Sequence, residues 1–201
     1  DRFEATIPAQ AHRTLVRYRI TATDSLGASV RAPAWDDPSK NFATFVYNGV
    51  PDYTAANSRH PDGDGKVYSS SLLTSLPVYQ LMTRPEDLQY CYAYSGTSNS
   101  GFQIAKGNRA ARKIYNWECA FVYDGKVYDH VRYRLRQNNN RYAAGGKRSM
   151  RFRFNDGNHF QARDEAGDPW PVKWRTLNTG KMSTFTSATT YGLREVVNSR
   201  I

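Results

Sequence analysis

Between Trp117 and Ala162 apolar and polar residues alternate with a period of two, the mark of strands that bury one face. Trp117–Tyr123 and Lys126–Arg136 flank Asp124-Gly125, a dipeptide that tolerates the left-handed backbone of a tight hairpin turn. Lys147–Phe154 and His159–Ala162 flank a second turn sequence, Asn155-Asp156-Gly157-Asn158. This pattern predicts four strands in an antiparallel meander. Upstream, Leu15, Arg17 and Arg19 alternate with Val16, Tyr18 and Ile20, which predicts a half-buried strand over 14–23. Asp24–Gly27 turns that strand, and 28–33 returns as its partner. Such a hairpin is how immunoglobulin-like or fibronectin-like sandwiches finish. Strands are also expected in 41–51 and 76–83. Pro85, Glu86 and Asp87 then carry the chemistry of a helix first turn. Residues 52–70 and 95–113 are expected as loops, the latter with a basic tip at Lys106, Arg109, Arg112 and Lys113. Loop or short helix is expected over 163–190, and a helix over 191–201.

Composition narrows the class. In 201 residues no run of ten apolar positions occurs, so no membrane span is expected. The 14 Tyr, 9 Phe and 4 Trp provide enough apolar surface for a core and argue against a disordered tail. The chain begins at Asp1 and stops at Ile201 within the expected helix, which suggests a piece of a longer protein. Cys91 and Cys119 leave a disulfide and two buried thiols equally open. No Cys/His cluster with zinc spacing is present, and Asp62-Gly63-Asp64-Gly65 is too short a series for a calcium loop, so no metal site is expected.

The formal net charge is +10, and 20 of the 28 basic residues are arginine. Arginine in such excess favours forked contacts with phosphate or carboxylate, although a codon bias gives the same composition. Its placement says more. Arg132, Arg134 and Arg136 alternate with Val131, Tyr133 and Leu135, while Arg151 and Arg153 alternate with Met150, Phe152 and Phe154. If these strands share a sheet, five guanidinium groups line one face, where like charges repel. Residues 117–155 hold nine Lys/Arg against three Asp/Glu, so the segment cannot neutralise itself. Three readings stand: solvated faces with partners elsewhere in the fold, a bound polyphosphate, or nucleic acid or an acidic glycan. Nucleic acid is the least expected partner, because the aromatics alternate onto the other face and no known RNA-binding signature occurs. The four histidines, His12, His60, His130 and His159, stand in no hydrolase motif, and Gly145–Ser149 lacks the first half of a phosphate-binding loop.

Three stretches together, 127–136, 141–154 and 159–164, resemble the spore coat protein H (CotH) kinase family, and more closely its large secreted bacterial members with lamin-tail and immunoglobulin-like modules. In that family a strand ending in Arg-x-Arg leads through a short loop into a Lys-containing strand. Arg134, Arg136, Arg141 and Lys147 hold those positions here, with Gln137 where the family commonly has Gly. Phe42–Pro51 and Leu76–Leu81 also look like stretches that precede the family's kinase-like region.

The resemblance implies a β-rich α+β fold: an antiparallel sheet like a kinase N-lobe, preceded by the last hairpin of a β-sandwich-like module. The implied domains are 1–40, hairpin and linker, and 41–201, a C-terminally truncated N-terminal lobe. It further implies a secreted or cell-surface bacterial protein whose parent transfers phosphoryl from ATP, with Mg²⁺, to an extracellular protein substrate. The family's catalytic and metal-binding acids lie in a later lobe, so no catalytic residue is expected here and the missing lobe is an expected partner. Kinases pair a strand lysine on the nucleotide phosphates with a helix glutamate. The same order here makes Lys147 and Glu195 candidates beside Arg134, Arg136 and Arg141. The alternative is an extracellular binding or adhesion module that keeps the scaffold without the chemistry.

Overall fold

The structure, a computed structural model, describes residues 3–54, 65–93, 117–135 and 150–179. The basic tip expected in 95–113, together with Arg136, Arg141, Lys147, Glu195 and the helix expected at 191–201, lies outside these residues. The described chain is β-rich, with antiparallel pairing and few helices. Among the described residues no helix is long and apolar enough to cross a membrane. The chain divides into two compact units. One comprises the described residues up to Leu81 with Phe121–Tyr128; the other comprises those of Met82–Ala120 and from Asp129 onward.

In the first unit the expected strand over 14–23 is two strands, β1 (Thr14–Tyr18) and β2 (Ile20–Thr23). They separate at Arg19, whose Nε donates to the Lys40 carbonyl at 2.9 Å. The break lets one run of sequence serve two partners. β2 pairs with β3 (Ser29–Ala32), and β1 pairs with β4 (Phe42–Val46) in the register Val16↔Thr44. Asp24 builds the β2–β3 turn, its Oδ1 accepting the amides of Leu26 at 2.9 Å and Ala28 at 2.8 Å. Every residue of β2 is exposed, so the alternation there reflects strand geometry without a buried face. Two short strands, β5 (Tyr53–Thr54) and β6 (Val67–Tyr68), pair within the region expected to be loop. The single-turn helix α1 (Ser70–Leu73) follows them, capped by the Ser69 hydroxyl.

The main sheet is made by β7 (Gln80–Met82), β8 (Trp117–Tyr123), β9 (Lys126–Leu135), β10 (Met150–Arg153) and β11 (Thr176–Thr179). Their order is β11-β10-β9-β8-β7. Helix α2 (Pro85–Ala93) starts where proline and acids predict, with Arg84 forking onto Asp87 at 2.9 and 3.0 Å. The core gathers on this sheet: Cys119 through Tyr123 are all buried, as are Val131, Tyr133, Met150, Phe152 and Phe154.

Asp124 and Gly125, at φ 51° and 70°, form the β8–β9 turn with both residues left-handed. Glycine holds its position because a Cβ makes that conformation strained. Gly125→Ala is expected to cost about 1 kcal/mol by urea denaturation; an unchanged midpoint would contradict this account of the turn. His130, also left-handed at φ 52°, interrupts β9 as a β-bulge does. The Asp129 carboxylate accepts the His130 amide at 2.9 Å, and Asn155 Nδ2 donates to the Asp129 carbonyl at 3.1 Å. The interruption lets Tyr128 and Val131, an odd number of residues apart, both be buried at 1% exposure.

The second Asp-Gly turn does not reverse the chain as expected. β10 pairs with β11 instead of with 159–162. The Phe154 amide reaches the Arg175 carbonyl at 2.9 Å, and Phe160 bridges Trp174 through both backbone groups. Residues 155–159 are therefore an excursion inside one long hairpin, whose real reversal is at Asp164–Asp168. There the Asp164 carboxylate accepts the amides of Ala166 and Asp168, each at 2.9 Å.

Candidate anion-binding face

The β9–β10 register sets Arg132 opposite Arg153 and Arg134 opposite Arg151, with Tyr133 opposite Phe152 between them. Directly opposed residues project from the same side of a sheet, ~5 Å apart, and successive same-side residues along a strand stand ~6.7 Å apart. Four of the five arginines of the expected stripe thus share one face; the fifth, Arg136, lies outside the described residues. The opposite side is core: Val131, Tyr133, Phe152 and Phe154 are each under 5% exposed. Packing on that side fixes the arginine-bearing backbone, so the charges stand on a strand framework and not on a loop.

Three of the four charges on this face lack a side-chain partner among the described residues. Among the described residues the side chains of Arg132, Arg151 and Arg153 make no hydrogen bond or ion pair. Arg132 and Arg153 are exposed, and Arg134 and Arg151 are half-buried. Burial, and then the charge of Arg151, hold the Arg134 guanidinium below its ordinary pKa. Three acids of the same unit have partners of their own. Glu118 meets His130 Nδ1 at 3.2 Å, Asp129 lies 3.6 Å from His130 Nε2, and Asp156 takes Arg175 at 3.1 Å.

β11 extends the face. Thr176 stands opposite Arg153 and Asn178 opposite Arg151, so two rows cross the sheet: Arg132-Arg153-Thr176 and Arg134-Arg151-Asn178. Sequence reasoning missed this third column. Its signal was present, since Thr176 and Asn178 alternate with Leu177, but the Pro- and Trp-rich stretch before it suggested loop. The Thr179 hydroxyl accepts the Met150 amide at 3.2 Å and holds β11 in this register.

The buried thiols offer no competing chemistry. Cys91 and Cys119 are not joined, so the disulfide left open by the sequence is not formed. Cys119 Sγ donates to the Val131 carbonyl at 3.3 Å. Burial, followed by the charges of Asp129 and Glu118, pushes its pKa up, the reverse of what activates a nucleophile. Comparison with protein families, with curated proteins and with solved structures finds no match to the chain.

Proposed function

We propose that the chain is an N-terminal fragment of a secreted CotH-like atypical protein kinase, with the N-terminal lobe over 41–201, and that the arginine face receives the phosphates of its nucleotide. The resemblance in 127–164 supplies the family. The observation that carries the site is the pair of directly opposed arginine couples, in which the side chains of Arg132, Arg151 and Arg153 have no partner among the described residues. Sheets are destabilised by like charges set face to face. Guanidinium forks also match phosphate oxygens in shape and charge. Four cations in a patch of ~5 by ~7 Å suit a polyphosphate chain of a few units.

Phosphoryl transfer depends on positioning and charge stabilisation, which this face would contribute without a reacting side chain of its own. The described residues offer donors to phosphate oxygens but no carboxylate cluster for Mg²⁺. The proposal therefore assigns them to phosphate binding alone, and the same face would serve a binding module that lacks catalysis.

The test pairs binding with stability. Arg132→Gln/Arg153→Gln is expected to weaken ATP and tripolyphosphate binding at least 10-fold, since charged hydrogen bonds are worth ~1.5–3 kcal/mol each. Arg151→Thr is expected to weaken binding while raising the stability of the ligand-free chain by ~0.2–1 kcal/mol, because it removes a cross-strand repulsion. Calorimetric titration and urea denaturation read the two effects. Unchanged affinity in the double variant would refute the site.

A further inference from the structure

Across the sheet, the two rows of this face change chemistry at the same place. β9 and β10 contribute guanidinium groups, which only donate hydrogen bonds. β11 contributes Thr176 and Asn178, whose hydroxyl and carboxamide both donate and accept. Neither side chain has a hydrogen-bond partner among the described residues. Asn178 is exposed and Thr176 half-buried. The column is held in place: Leu177 opposes Phe152 on the core side, and Thr179 accepts the Met150 amide.

A bare phosphate chain presents oxygens that accept, and the arginines alone satisfy it. It makes no use of acceptors. Hydroxyl groups both donate and accept, and they are what a neighbouring Thr/Asn column can recognise. The step from the β10 arginines to β11 is one strand spacing, ~4.8 Å, about the reach of a phosphate ester linkage. We infer that the face takes a phosphate ester of a hydroxylated group, the sugar phosphate of a nucleotide. Its phosphates lie over Arg132, Arg134, Arg151 and Arg153, and its sugar hydroxyls meet Thr176 and Asn178. Thr176 and Asn178 are then the residues that distinguish an ester from an inorganic polyphosphate. This inference rests on the phosphate-binding reading of the arginine face and adds the part of the ligand that the arginines cannot read.

The whole chain is titrated with ATP and, separately, with inorganic tripolyphosphate. Thr176→Val/Asn178→Ala is expected to weaken ATP about 10-fold, as the loss of two neutral hydrogen bonds would, and to leave tripolyphosphate within 2-fold of wild type. Asn178→Ala alone, at an exposed position that leaves the core untouched, is expected to give about a 3-fold loss for ATP only. An unchanged ATP affinity, or equal losses for both ligands, overturns the inference while the arginine face stands. If Arg132→Gln/Arg153→Gln changes neither affinity, the underlying reading fails and the inference goes with it.

Discussion

Replacing Phe160 with alanine is expected to cost about 3–5 kcal/mol, as for other fully buried aromatics cut back in a core that cannot close the gap. The ring is 0% exposed, stacks on Phe154 at 5.1 Å and meets Trp174 at 6.1 Å. Its backbone makes both hydrogen bonds of the Trp174 bridge, at 2.9 and 2.8 Å, where the long hairpin resumes after its excursion. The loss therefore falls where β10 and β11 are kept together, and anion binding should weaken with stability. Urea denaturation measures the first effect. Leu26→Ala, at a side chain 92% exposed, is the control and should change stability by no more than ~0.5 kcal/mol. A cost below ~1 kcal/mol for Phe160→Ala would show that the excursion is not anchored there.

Alkaline pH is the second strong perturbation. Burial holds the Tyr133 phenol at a pKa of about 12, and raises Tyr79 with a smaller contribution from Tyr123. Burial raises the Cys119 thiol as well. In the unfolded chain the thiol ionises near 9.0 and the phenols near 10.0. Folding therefore favours the protonated form of all three. Their stabilisation is complete below pH 9 and declines as pH rises, because the unfolded state sheds these protons first. The urea midpoint should fall continuously from pH 9 to pH 12. Cys119→Ala should remove the early part of that fall, and Tyr133→Phe the later part. Tyr133→Phe also gives up the hydroxyl contact with Thr83 at 2.9 Å, so its midpoint at neutral pH should start somewhat lower. A flat profile between pH 9 and pH 12 would refute the assignment.

The arginine face was legible because it depends on a local rule. Alternation states which side of a strand a residue takes, and Val131, Tyr133, Phe152 and Phe154 marked the buried side. The Asp124-Gly125 turn and the helix start at Pro85 are local in the same sense. Strand partners are not. Nothing within 14–23 says that its first half will pair with β4 and its second with β3. Likewise the Asn155–Asn158 turn chemistry is genuine, with the Asn158 amide on the Asn155 carbonyl at 3.1 Å. Whether such a turn reverses a chain or only offsets it depends on residues 174–176, well downstream. The asparagine and threonine of β11 became part of the face through that distant pairing. The kinase-like pair Lys147 and Glu195, with Arg136 and Arg141, lies outside the described residues.

The left-handed His130 also determines which kinds of sequence change β9 can absorb. Point substitutions at Asp129 or His130 alter contacts but keep the two halves of the strand half a repeat out of step. A one-residue deletion there restores strict alternation along the strand. Tyr128 and Val131 would then stand two residues apart, so both would stay inward and Arg132 and Arg134 outward, with no left-handed residue needed. Divergent forms of this protein that retain the basic face should therefore carry either two residues between Tyr128 and Val131 with one of them left-handed, or a single residue in regular strand conformation.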